Sequence, residues 1–238
     1  MSEDGGLPPA HHPHSNLEIK MANKKSKEIS MNNLVAVKPI TESQKAVFTT
    51  WKKGLNQFLF GAAGTGKTFV SLYLAMQDVL DLKTPYDKII LVRSLIPTRE
   101  IGFLPGDEED KAALYQVPYQ NMVRFMFEMP NEQAFSQLYD RLKAQGSLYF
   151  LSTSFLRGLT FDNSIIIVDE CQNLNFHELD TIITRVGQDS KISFCGDFDQ
   201  SDLQKRFSKD TRANGRVQLH RVHYRRYRSV WICEKLFN

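Results

Sequence analysis

One eight-residue stretch restricts the fold of this chain more than any other: Gly61-Ala62-Ala63-Gly64-Thr65-Gly66-Lys67-Thr68, which fits G-x-x-x-x-G-K-[ST]. Before it runs Gln57-Phe58-Leu59-Phe60, a short apolar segment of the kind that forms a buried strand. After it, Phe69, Val70, Leu72, Tyr73, Leu74, Met76 and Val79 imply a largely buried helix. Strand, glycine turn and helix in that order let successive backbone N–H groups point at one anion. The helix N-terminus adds its partial positive charge at the same spot. Gly61, Ala62, Ala63, Gly64, Thr65 and Gly66 are therefore the expected phosphate cradle. Lys67 is expected on the β- and γ-phosphates, and the Thr68 hydroxyl on Mg²⁺. A nucleotide is the expected ligand.

The remainder of the chain repeats the same alternation. Strands are predicted at 88–93, 147–151, 164–168 and 191–195, with helices near 111–127, 131–144 and 176–186. The strands are unbroken apolar runs rather than alternating ones. That pattern implies an α/β fold with a parallel central sheet covered on both faces. Ligands of such sheets sit at the carboxyl ends of the strands.

Two further stretches end at that edge. In Ser164-Ile165-Ile166-Ile167-Val168-Asp169-Glu170-Cys171-Gln172-Asn173, four apolar residues deliver an acidic pair to the end of a buried strand. Asp169 there is expected to hold Mg²⁺ beside Thr68, and Glu170 to orient or deprotonate an attacking water. The adjacent second carboxylate points to hydrolysis rather than storage, although an acidic pair can also cap a helix. In Phe194-Cys195-Gly196-Asp197-Phe198-Asp199-Gln200, an amide lies just past a strand tip. Gln200 is expected to sense the γ-phosphate; a polar turn is the alternative.

Composition sets the bounds. The 238 residues are 42% hydrophobic, enough for one domain with a substantial core. No apolar run approaches the roughly 18 residues of a membrane span. The N-terminus is acidic and has no signal-like apolar region, so the expected compartment is cytoplasmic, the host cytoplasm if the chain is phage-encoded. Cys171, Cys195 and Cys233 are widely spaced and read as reduced thiols. Residues 1–33 read as a disordered tail, with a His11/His12/His14 cluster taken as solvated, and with Met21 and Met31 as alternative starts. Net charge is +3, but Lys205 to Arg228 carries +8, which leaves the remainder at −5. A basic segment on an acidic body is compatible with nucleic acid.

Taken together, "ITESQ", "GAAGTGKT", "VRSLIPTREIGFLPGD", "FLRGLTFDNSIIIVDECQN" and "TRVGQDSKISFCGDFDQSDL" resemble the PhoH family of P-loop ATPases, especially its short phage-type members. The resemblance spans about Ile40 to Leu203. It implies a three-layer RecA-like domain over 34–204, similar to the first lobe of superfamily 1 helicases. It implies that Gln44 reads adenine, favouring ATP, and that Gln172 and Gln200 couple γ-phosphate state to bound RNA or single-stranded DNA. Arg93 and Arg157 stand as candidate phosphate or nucleic-acid contacts, with a surface ion pair as the alternative for each. Arg185 is a candidate to act on a neighbouring subunit's ATP, with a core-edge ion pair as the alternative; a lone lobe needs a partner surface closing over the γ-phosphate. A homo-oligomer, with a ring as one form, is the corresponding expectation. Cys171 stands where relatives more often carry Ala.

Past Asn214 the motifs are expected to stop, and 205–238 reads as a basic segment atypical of the family. Residues 211–233 contain no acid. One reading is a nucleic-acid tail in which Tyr224 and Tyr227 interleave with arginines. The other, favoured by the abrupt change in composition, is translation out of frame. The function expected from all of this is Mg²⁺-dependent ATP hydrolysis coupled to nucleic acid; the alternative is a nucleotide-gated binding switch.

Overall fold

The computed structural model describes residues 29–93, 108–156 and 158–197. The histidine cluster, the insertion at 94–107, Arg157, Gln200, Cys233 and the segment from 205 lie outside the described residues.

The elements are α1 (Glu42–Lys52), β1 (Gln57–Phe60), α2 (Lys67–Leu80), β2 (Lys88–Arg93), α3 (Glu108–Phe127), α4 (Glu132–Ala144), β3 (Leu148–Ser152), β4 (Ser164–Asp169), α5 (Phe176–Ile183) and β5 (Lys191–Gly196). The five strands form one sheet in the order β1-β5-β4-β2-β3, and every pairing is parallel. The expected α/β architecture with a parallel central sheet is the observed one.

Successive side chains of a strand face opposite ways, and the two core clusters follow that rule. Ile89, Leu91, Ile165 and Ile167 join one cluster, with α1, α2, α3 and α4 packed against it. Ile90, Val92, Ile166 and Val168 join the other, with Ile182 of α5 and the turns carrying Leu156 and Leu174. All six residues of β4 are buried. A strand this apolar on both faces is stable only in the middle of a covered parallel sheet, and β4 is there.

Three local findings differ from the sequence reading. The segment Glu42–Lys52 is a helix that the sequence pattern does not announce. Thr41 caps it by accepting from the Gln44 N–H, and only Val47 and Trp51 are buried, too few for a clear period. At the N-terminus, order begins before residue 34: Ile29 is buried in the core and Met31–Asn33 form a 3₁₀ turn. The helix expected to reach Val186 stops at Ile183. Beyond it, Arg185 and Val186 donate to carbonyls three residues back, and Val186 bridges to Phe161. The carbonyl of Phe161 takes the Gly187 N–H, so pairing beside β4 replaces another helical turn.

At the amino end of β5, Lys191 is 3% exposed. Its ammonium lies 3.2 Å from Asp78 Oδ2 and 4.2 Å from the centre of the Trp51 ring, and the Trp51 indole donates to the same carboxylate at 2.8 Å. Burial pushes the Lys191 pKa down, and Asp78 pulls against it. Removing the partner of a buried charge costs far more than removing an exposed one. Asp78→Ala is expected to lower stability by about 2–3 kcal/mol in urea unfolding. Glu42→Ala, which breaks the exposed pair with Lys45, is expected to change it by less than about 1 kcal/mol.

Candidate functional site

The site is built where β1, β5 and β4 end side by side. Because β5 lies between the other two, the glycine-rich loop after β1 and the acidic pair after β4 start two strand spacings apart, about 10 Å. The loop returns over the tip of β5, where the Gly61 N–H donates to the Gly196 carbonyl at 3.3 Å. Gly64 and Gly66 adopt φ of 78° and 84°, a region in which L side chains are strained. These two turns bring the chain round to start α2 at Lys67. The Lys67 ammonium donates to the carbonyls of Gly61 and Ala62 at 2.5 and 2.8 Å, and the Thr65 hydroxyl to that of Ala62 at 2.9 Å.

One residue into α2, the Thr68 hydroxyl donates to Asp169 Oδ1 at 2.6 Å. The other oxygen of this buried carboxylate accepts from the Tyr119 hydroxyl at 2.6 Å. Glu170 follows in the left-handed region at φ 51°, an uncommon conformation for a non-glycine residue and one that clusters at functional loops. The Gln172 amide donates to Glu170 Oε2 and accepts from the Asp197 N–H at 3.0 Å. Gln172 therefore ties the end of β4 to the end of β5.

Two adjoining cavities open on either side of the loop and share Gly66 and Lys67. One, of about 240 Å³, is lined by Ala63, Gly64, Thr68, Asp169, Glu170 and Asp197 among others. The second, of about 180 Å³, is mostly apolar and is lined by Gln44, Val47, Leu59 and Val70 among others. The Gln44 side-chain carbonyl accepts from the Ile40 N–H at 2.8 Å, so this residue also holds the start of α1.

The structure thus gathers Ala63, Gly64, Gly66, Lys67, Thr68, Asp169 and Glu170 around one cavity, and Gln44 and Thr65 around its neighbour. Gln172 joins through its bond to Glu170, while Gly61 and Ala62 are the carbonyl partners of Lys67. Arg185 does not join them. Its carbonyl accepts from the Phe161 N–H at the amino end of β4, the opposite edge of the sheet. Arg93 is closer: it stands opposite Asp169 in the β2–β4 register, and its guanidinium lies within electrostatic reach of Tyr119, Asp169 and Glu170. Tyr119 is the residue the sequence reading missed. In "ALYQVPYQNMV" it looks like one more apolar position of a helix, and no spacing relates it to residue 169.

The Thr68 hydroxyl and the carboxyls of Asp169 and Glu170 are among the oxygen groups of residues lining the larger cavity, Asp197 being another such residue. Such hard donors suit Mg²⁺, which is ordinarily held by one or two carboxylates plus phosphate oxygens and water. No cluster of three or more His, Cys, Asp or Glu that could cage a metal occurs among the described residues. The donor set thus fits an ion that arrives with a phosphate. Cys171 and Cys195 are free, buried thiols; burial pushes the Cys195 pKa up to about 12, and that of Cys171 higher.

A family model described as PhoH-like protein matches residues 36–227. The match runs past Asn214, where the motifs were expected to stop. Protein PhoH2 of Bacillus subtilis is 37% identical over 60% of this chain and 32% of its own length. A PhoH-like protein of Synechocystis is 35% identical over 61% of this chain and 42% of its own. Protein PhoH of Escherichia coli K12 is 31% identical over 69% and 42%. The chain spans a third to a half of the length of these curated relatives. The large terminase of a thermophilic bacteriophage aligns with 67% of the chain and 39% of its own, at 13% identity and a TM-score of 0.36.

The turn after β4 and the end of β1 leave no room for a side chain at the tip of β5. A Cβ on Gly196 would lie 2.6 Å from Cys171 Sγ, 3.1 Å from Gln172 Oε1 and 3.2 Å from the Phe60 ring. Gly196→Ala is expected to lower stability by about 1–3 kcal/mol, the usual range for overpacking. Adding Cys171→Ala, which removes the nearest clashing atom, should restore part of the loss. Chemical unfolding of the single and double variants checks both statements.

Proposed function

The chain belongs to the PhoH-like protein family, and on that premise we propose that it binds ATP with Mg²⁺ and hydrolyses it, coupled to RNA or single-stranded DNA. The observation that carries the reading is the 2.6 Å contact between Thr68 and Asp169, residues 101 positions apart. A glycine turn or an acidic strand end occurs alone in many folds. Meeting on one cavity, they form the pair that a magnesium-bound triphosphate requires.

Each residue then has a task. Backbone N–H groups of the Gly61–Gly66 loop bind the phosphates, that of Gly61 excepted while it donates to the Gly196 carbonyl, and Lys67 exchanges its two carbonyl partners for phosphate oxygens. Thr68 and Asp169 hold Mg²⁺, which when bound offsets the negative charge developing on the phosphate oxygens. Glu170 takes the proton of the attacking water. Gln44, on the apolar side of the loop, reads adenine. Gln172 and Gln200 relay the nucleotide state to nucleic acid.

The described residues form one lobe around a single sheet, and closing over the γ-phosphate takes a second surface. We place the complementary arginine on a neighbouring copy within a homo-oligomer, a ring being the arrangement that repeats the contact without open ends. Arg185, remote from its own cavity, is the candidate. No helix among the described residues is long and apolar enough to cross a membrane, in keeping with a cytoplasmic site of action.

A second reading, a nucleotide-gated switch with slow turnover, has support from Gln172. This amide engages Glu170 while it holds the Asp197 backbone. A carboxylate restrained in this way suits a device that waits for a trigger.

Lys67→Ala is expected to lose most nucleotide binding and nearly all turnover. Glu170→Gln should still bind ATP while turning over roughly 10²–10⁴-fold more slowly, the scale of losing a general base; normal turnover would remove the role given to Glu170. A turnover assay with and without RNA and single-stranded DNA separates the readings. Stimulation supports the coupled ATPase, and slow turnover whatever is added supports the switch. Gel filtration with ATP should show an oligomer, and monomer alone would count against action in trans.

A further inference from the structure

Tyr119 is 1% exposed, yet it brings a hydroxyl to the most constrained carboxylate of the cavity. The direction of its hydrogen bond is fixed by chemistry: an ionised carboxylate has acceptors only, so the tyrosine hydrogen goes to Asp169. The Arg93 guanidinium stands within electrostatic reach of both groups. Arg93 and Asp169 are partners in the β2–β4 register, and Tyr119 reaches them from α3. The tyrosine ring is tilted against Phe150 of β3, with centroids 5.7 Å apart.

The terminal torsion of an aspartate is broad. With Thr68 as its only partner, the carboxylate of Asp169 would be free to turn about that contact. A second donor on the other oxygen fixes its plane. We infer that Tyr119 is a positioning residue of the nucleotide site: its hydroxyl holds Oδ2 of Asp169 and keeps Oδ1 on Thr68. The assignment rests on the Mg²⁺-nucleotide reading above. It makes α3 a third support of the site, beside the loop and β4.

The test uses the full chain, a non-hydrolysable ATP analogue carrying a fluorophore, and a Mg²⁺ titration. Tyr119→Phe removes one oxygen and keeps the ring. It should bind the analogue without Mg²⁺ as the unaltered protein does, but need roughly 10-fold more Mg²⁺ for half-maximal enhancement, the scale on which partners of metal ligands act. In steady state kcat should fall several-fold while KM for ATP changes less than about 2-fold. Arg93→Gln, at a half-buried position, should shift the Mg²⁺ midpoint in the same direction by a smaller factor. It decides the matter if Tyr119→Phe does not fold. In a chain already carrying Asp169→Asn, Tyr119→Phe should shift the midpoint no further.

A Mg²⁺ midpoint within about 2-fold of the unaltered protein overturns the assignment, being far short of the effect of such partners. So does an equal loss of Mg²⁺-free binding, which would mark Tyr119 as packing alone. Absence of any Mg²⁺ effect in the unaltered protein would instead overturn the parent reading, so the two failures are distinguishable.

Discussion

The contact between Thr68 and Asp169 closes a gap that the sheet itself opens. With β5 inserted between β1 and β4, the two chemically endowed strand ends are not neighbours. They meet only because the loop turns back over the tip of β5 and starts a helix aimed across it. Three local features gather at that crossing: two glycines at positive φ, a bare backbone at Gly196 and an acidic pair whose second member is left-handed. The backbone strain at Glu170 persists only where the surroundings over-determine it. Here the surroundings are the fully buried strands β4 and β5.

The two faces of the sheet carry unequal loads. α1 to α4 pack with the cluster that includes Leu59, Ile89 and Ile165, while among the described helices only α5 contributes to the opposite cluster. Both helices that reach the larger cavity, α2 and α3, come from the heavily covered face. That places Thr68 and Tyr119 on rigid, well-packed elements rather than on loops. The amide of Gln172 works differently, spanning two loop ends through polar contacts alone. The two members of the carboxylate pair are thus held differently: Asp169 by side chains of packed helices, Glu170 by an amide that also bonds the Asp197 backbone.

Much of the fold was legible because its signals are local. Unbroken apolar runs such as Ile165 to Val168 can satisfy both faces only in a covered parallel sheet, so the architecture follows from the runs. α1 was not legible because its buried face is two residues, though Thr41 and Gln44 do stand at capping distance. α5 reads too long in the sequence because Val186 is apolar and in phase with the helix. What it packs into is the edge of β4 at Phe161, a competitor from elsewhere in the chain.

The sequence by itself determined the cradle, the acidic strand end and the class of sheet that joins them. Each of these depends on residues close together in the chain, where backbone geometry is set by glycine, by apolar runs and by helix phase. Only the tertiary structure decided which strand lies between them, that a tyrosine from α3 takes the second oxygen of Asp169, and that Arg185 ends at the far edge of the sheet. Those outcomes depend on strand order and on which helix face meets the core. Many segments compete for such contacts through the same non-directional burial, so no local pattern of residues records the result.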